Sequence, residues 1–164
     1  LIDLVGTNTV ALDAELKKLS LSHRGTDPVN ENEVLSLVSR TAEIKPWEFV
    51  DAFASRNGKR CIYLMNRMVV SPFALLAMCT TRIRELITVK ALSERGQKAL
   101  CSKVLKMPDW RLKNHYSCAR GFTMDELICA LSSARDVEQE MKSGSDQMQS
   151  FISWFLGVCK KGSL

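Results

Sequence analysis

One stretch limits what this chain can fold into more than any other: residues 71–95, SPFALLAMCTTRIRELITVKALSER. Ser71 suits a helix N-cap, Pro72 the first helical position and Gly96 the C-terminal stop. The first half, Phe73 to Cys79, is apolar on nearly every side. The second half narrows to a stripe of Ile83, Leu86, Ile87 and Val89, with Arg82, Arg84, Glu85, Thr88 and Lys90 around it. A helix apolar all round must be wrapped by other helices, whereas a striped helix needs cover on one side only. The expectation is a central post that enters the core and leaves along the surface.

The remaining sequence reads as the wrapping. Thr7 or Asn8 can cap a helix over residues 7–22, with Leu12, Leu16 and Leu19 on one face. Arg24-Gly25 ends it, and TDPVN is a turn. Asn30 followed by Glu33 has the spacing of a capping box and opens a short helix with Val34, Leu37 and Val38 inward. These helices carry too little apolar surface to stand alone, and Thr41 to Pro46 is the candidate linker. Pro46 restarts a helix with Trp47, Phe49, Val50 and Phe53, and Asn57-Gly58 is expected to stop it. Residues 59–70 form the next helix, followed by the post. A short basic helix covers 97–106, and Pro108 starts another that runs to about Ala119. Thr123 and Glu126 form a second capping box, on a helix with the stripe Leu127, Leu131, Ala134, Val137 and Met141. Asp146 caps the last helix, where Met148, Phe151, Ile152, Phe155 and Cys159 share a face. No alternating strand pattern and no internal repeat is visible. The fold class is therefore all-α, a helical bundle with short loops that favour side-by-side neighbours.

With 46% apolar residues over 164 positions, the chain is globular, and its length suits one domain or one domain plus a fragment of another. Its longest unbroken apolar run, Pro72 to Cys79, is far short of the ~18 residues that read as a membrane span. There is no charged-then-apolar leader and the chain begins at Leu1, so it reads as an intracellular protein present as an internal or C-terminal fragment. The six cysteines, at 61, 79, 101, 118, 129 and 159, form no C-x-x-C pair. Cys61, Cys79 and Cys129 sit among apolar neighbours and read as reduced core or half-buried thiols. His115 with Cys118 is the nearest thing to a metal pattern, and without a second pair no metal site is expected.

Catalytic signatures are missing as well. There is no phosphate-cradling G-x-x-x-x-G-K-[ST], no G-x-S-x-G, no H-E-x-x-H and no Asp-rich calcium loop. His23 and His115 are far apart in sequence and read as surface residues. Glu138 and Lys142 make a plain solvent-facing i,i+4 pair. No catalytic residue, cofactor site or metal ligand is assigned.

Two features remain. Residues 46–164 carry 18 basic and 11 acidic side chains, whereas residues 1–45 carry 5 and 7. Much of the excess lies in Lys98, Lys103, Lys106, Arg111, Lys113 and Arg120, with Trp110 and Tyr116 interleaved. Such a run could attract phosphate backbones and stack on bases, or it could be a solvated face with both aromatics turned inward. The second feature is Trp154, which falls about 120° from the centre of the last helix's apolar stripe at ~100° per residue. Gly157 shares that rear quadrant. A large aromatic beside a small residue suits a helix-to-helix subunit contact, unless a neighbouring helix of the same chain covers it.

The order of elements is itself informative. LDAELKKLSL (12–21), ENEVLSLVSRTAE (31–43), WEFVDAF (47–53) with NGKRCIYLMNRM (57–68), SPFALLAMCTTRIRELITVKAL (71–92), ARGFTMDELICAL (119–131) and EMKSGSD (140–146) follow one another in a familiar pattern. Together they resemble the C-terminal part of the delta subunit of the bacterial DNA polymerase III clamp loader. No single motif is diagnostic, and WRLKNHYSC and the many cysteines depart from the pattern. The resemblance implies that residues 1–44 end a lid domain and that residues 45–164 form a helical collar, the oligomerisation domain. It implies a non-catalytic, cytoplasmic, bacterial subunit of a DNA-directed DNA polymerase holoenzyme, a nucleotidyltransferase complex. Its partners would be delta-prime and gamma/tau type subunits in a pentameric ring that loads the sliding clamp on primed DNA. Clamp contact would lie in a domain absent here, and no membrane is involved. The residues expected at a subunit interface are Arg84, Phe151, Trp154 and Gly157. The alternative is a basic nucleic-acid-binding domain using residues 98–120.

Overall fold

The computed structural model describes residues 1–23, 27–38 and 44–160, and among them it contains helices and no strand. The chain divides into two compact units, Leu1–Ile44 and Lys45–Leu164. Residues 41–43 of the expected linker and the expected Arg24-Gly25 helix stop lie outside the described residues.

The first unit contains α1 (Ile2–Val5), α2 (Thr9–Ser22) and α3 (Glu31–Leu37). The Asn8 side chain accepts from the Val10 and Ala11 amides, which fixes the start of α2. Asn30 and Glu33 close the expected capping box on α3. Val5, Leu19 and Val38 are the buried centre, with Leu4, Leu12, Val34 and Leu37 packed against them. Leu16, expected inside, is 54% exposed, while Glu15 is buried and holds the Lys18 ammonium at 2.7 Å. The lysine thus supplies the counter-charge that a buried carboxylate needs.

The second unit is built on α6 (Pro72–Glu94), the expected post. Around it lie α4 (Pro46–Ala54), α8 (Asp109–Arg120), α9 (Met124–Lys142) and α10 (Gln147–Cys159), all in contact with it. Helix α5 (Gly58–Met65) packs on α4 and α10, and a 3-10 turn (Lys98–Leu100) leads into the short α7 (Cys101–Leu105). Ile83, Leu86 and Val89 of the expected stripe are buried and Ile87 is half-buried; in the first half Leu75, Leu76 and Cys79 are buried, but Ala74 and Ala77 are exposed, so that half is not wrapped on every side. Thr123 with Glu126 and the Asp146 side chain cap α9 and α10 where the sequence placed them.

One turn differs from expectation. Asn57-Gly58 does not stop α4; the helix ends at Ala54, and Arg56 takes the left-handed turn with φ 56°. Asn57 instead caps α5 by accepting from the Arg60 amide. Gly58 is the first residue of α5, where an added Cβ would lie 3.2 Å from Leu156 Cδ2 of α10. Close helix approach, and no helix stop, is what the glycine serves here. Arg56 gains from its unusual position. Its guanidinium pairs with Glu126, lies 4.0 Å over the Phe122 ring and donates to the Lys160 carbonyl at 2.9 Å.

Candidate functional site

An aromatic core joins α4 to α10. Phe49 meets Phe155 edge-on at 5.4 Å and Phe151 at 5.8 Å, and Phe53 stacks on Trp154 at 5.5 Å. The Trp154 indole N–H donates to Ser133 Oγ of α9 at 3.1 Å. Trp154 is 6% exposed and Phe151 is fully buried. The expectation that Trp154 stands off the core face is therefore corrected. Helix α10 packs against α5, α6 and α9 as well as meeting α4, so its buried arc is wider than the stripe suggested. Neither Phe151 nor Trp154 offers a surface to another molecule. Gly157 is half-buried, and a Cβ added there would meet no atom within 4 Å. Arg84 is exposed.

A polar cluster ties α4, α6 and α8 together. Arg82 of α6 is buried; it donates to Asp51 of α4 at 2.7 Å and to Glu85 at 3.1 Å. Glu85 in turn meets His115 Nε2 of α8 at 2.9 Å, while His115 Nδ1 lies 3.2 Å from the Arg111 carbonyl. His115 is 2% exposed, which corrects its reading as a surface residue. Burial works to raise the Glu85 pKa, but the His115 hydrogen bond and the Arg82 charge outweigh it and hold the carboxyl below its usual range. The signal for this cluster was present in the sequence. Arg82, expected beside the stripe, is instead on it: Leu75, Cys79, Arg82, Leu86 and Val89 recur at three- and four-residue steps, so the buried guanidinium must be paired.

Above the cluster is a surface groove of about 380 Å³, rimmed by Trp47 of α4 and Trp110 and Arg111 of α8. Trp47 is 56% and Trp110 78% exposed, although both could have been expected inward. The basic run does not form one face. Arg111 belongs to this groove, whereas Lys98 and Arg120 line a separate one of about 390 Å³ beside Tyr116 and Lys90. The Tyr116 hydroxyl donates to the Lys98 carbonyl at 3.2 Å, so this aromatic serves the fold. Lys103 on α7, Lys106 in a left-handed turn at its end and Lys113 on α8 are exposed.

Another groove, of about 640 Å³, runs between α6 and α9 and contains Arg84. Its walls include Phe73, Ala77, Ile128, Leu131 and Arg135. Ile128, not singled out in the sequence, is 53% exposed there. Cys61, Cys79 and Cys101 are buried free thiols, and burial pushes the Cys79 thiol up; Cys129, expected in or near the core, is exposed. Among the described residues no three His, Cys, Asp or Glu side chains come together as a metal site. No helix among them is long and apolar enough to cross a membrane.

Comparison with known proteins places this architecture. The curated delta subunit of DNA polymerase III from Bacillus subtilis (strain 168) is 24% identical over 161 residues, covering 95% of this chain and 46% of the relative. The solved DNA clamp loader delta protein of Bacillus subtilis shares the fold with a TM-score of 0.60 at 21% identity, over 98% of this chain and 49% of that structure. The chain thus spans about half the length of the proteins it matches. A family model described as the DNA polymerase III delta subunit, C-terminal domain, matches residues 43–158, most of the chain and nearly all of the second unit. The chain belongs to the family of DNA polymerase III delta subunits, of which it carries the C-terminal domain.

Proposed function

We propose that residues 45–164 are a helical collar that joins a delta-type subunit to its neighbours in a clamp-loader ring, and that residues 1–44 end a lid domain. The observation that carries this reading is one of extent. The family match begins two residues before the second unit and ends one residue before the last residue of α10. The module would act by burying helix faces against adjacent subunits, with no catalysis of its own. Arg84, in the α6–α9 groove, and Gly157, with open space beside it, remain the interface residues of this reading. The whole subunit would work with delta-prime and gamma/tau type partners to open the sliding clamp and load it on primed DNA. It would meet the clamp through residues other than these.

The test is the light-scattering mass of the chain alone and mixed with delta-prime and gamma/tau type subunits. A stoichiometric complex on mixing is the expected result. Components that keep their separate masses at tens of micromolar would overturn the reading.

A second reading has its own support. Trp110 lies exposed beside Arg111, so one aromatic of the basic run is free to stack on a base. On this reading DNA affinity falls steeply with salt, and the combined reversal of Lys103, Lys106 and Lys113 to Glu abolishes it. Salt-independent binding, or binding unchanged in that variant, would remove the basic run from consideration.

A further inference from the structure

The α6–α9 groove carries more information than its volume. Buried Leu76 and Ala134 lie at its base, and on the α6 side Phe73, Ala77, Thr80 and Arg84 follow at steps of four, three and four residues. On the α9 side Ile128, Leu131, Arg135 and Glu138 follow at steps of three, four and three, with Ser132 beside them. Each wall alternates three- and four-residue steps, the pattern of a helix face that receives another helix knob-into-hole. The two helices already pack on each other, and among the described residues the two seams flank one groove beside the pair. Small residues on the α6 wall, Ala77 and Thr80, allow a backbone to approach to the usual 8–10 Å between axes. The span from 73 to 84 is about 16 Å at 1.5 Å per residue, or roughly three turns of a docked helix.

Charge narrows the occupant. Each wall contributes one guanidinium, Arg84 or Arg135, and among the described residues neither has a carboxylate within 4.0 Å. The acidic residue in the lining, Glu138, is held by the Lys142 ammonium at 2.6 Å. A base of Leu76 and Ala134, with Phe73 and Ile128 on the walls and unmatched arginines along the borders, is complementary to an apolar helical stripe flanked by carboxylates, which arginine can grip with two parallel hydrogen bonds. The geometry points to a specific occupant: an amphipathic helix of a neighbouring protein subunit, about three turns long, with an acidic side chain on each border of its apolar face. This inference rests on the subunit-joining reading above and names the partner chemistry of one surface.

The test uses the full chain with a photo-crosslinking benzoylphenylalanine in place of Ser132, an exposed residue of the groove, mixed with the same partner subunits. Alongside it, the variant Arg84→Glu/Arg135→Glu is titrated against those partners at two salt concentrations. Far-ultraviolet circular dichroism verifies that the variant, which alters only exposed side chains, keeps its melting curve. The expected result is a crosslink to a helix with acidic residues bordering an apolar stripe, together with at least a tenfold loss of affinity in the double reversal. That loss should shrink as salt rises, because exposed ion pairs are screened. A wild-type complex that forms while the folded double variant binds with unchanged affinity overturns the inference and leaves the subunit-joining reading intact. A crosslink to a second copy of this chain, or to a segment without the acidic borders, overturns the assigned occupant. Failure of the wild-type chain to form any complex overturns both readings.

Discussion

Helix α4 faces two regions rich in aromatic side chains, and they behave as opposites. On one flank Phe49 and Phe53 meet Phe151, Trp154 and Phe155 of α10 in a dry cluster, where the one polar aromatic atom is satisfied by Ser133. On the other flank Trp47 stands at the rim of a groove with Trp110 opposite, above a floor made of Asp51, Arg82 and His115. The same residue type is thus structural in the first region and displayed in the second. Composition does not separate them. The partner layer does: α10 brings aromatic rings whose one N–H is met by Ser133 of α9, whereas α8 brings a histidine that needs Glu85. A floor of charges must be paired where it stands, and it stays near water, so its rim cannot close over it.

The largest effect should come from the closed region. Trp154→Ala removes a stacked ring and a satisfied N–H from a packed core, and should lower stability by about 3–5 kcal/mol in urea unfolding. A cost below about 1 kcal/mol would mean that the ring is not enclosed as described, and the contrast would fail.

The polar floor should give an intermediate effect. Arg82→Ala leaves Glu85 without its guanidinium and Asp51 half exposed, so about 1–3 kcal/mol should be lost. This loss should depend on pH with a definite sign. Because the Glu85 pKa is held below its unfolded value, its contribution is present above about pH 4.3 and disappears as pH falls through the folded value. Wild type and Glu85→Gln should therefore converge in urea midpoint as the pH falls through the folded value and separate toward pH 6. Parallel midpoints across that range would exclude Glu85 as a charged member of the cluster.

The smallest effect should come from the rim. Trp110→Ala at 78% exposure should change stability by no more than about 0.5 kcal/mol. If it costs as much as Trp154→Ala, the distinction between the two regions is lost. If stability holds while DNA affinity drops, the rim is a binding surface of the kind the second reading describes.

The local grammar of this fold was readable in the sequence, and its long-range pairings were not. Asn30 with Glu33, Thr123 with Glu126, Pro46, Asp146 and the post at 71–95 act through neighbours within one turn, so spacing alone locates them. Gly58 was misread because its reason lies in Leu156 of α10, nearly a hundred residues away. Trp154 was misread for the same cause: an angle on one helix does not say how many other helices surround it. His115 looked like a surface residue because its partner, Glu85, sits 30 positions earlier on another helix. Helix α1, four residues long, has too few positions for a period and was missed altogether. Among the site candidates, Arg84 is exposed, as its position off the apolar stripe suggests, while Ile128 escaped notice because a lone exposed isoleucine looks like any stripe residue until the groove beside it is visible.

The α4–α10 aromatic cluster also sets a timetable. Phe49 and Phe151 are 102 positions apart, so at ~5–20 residues per second of synthesis the first ring waits about 5–20 s for the second. During that interval α4, α5 and α6 can assemble, but Phe49 and Phe53 lack the rings of Phe151, Trp154 and Phe155. The nascent chain carries an uncovered aromatic strip until its last helix emerges, and a ribosome that stalls between α9 and α10 leaves that strip exposed to other chains. For the α4–α10 contact the fate of an interrupted synthesis is decided by thirteen residues, Gln147–Cys159, that follow α4 to α9 along the chain.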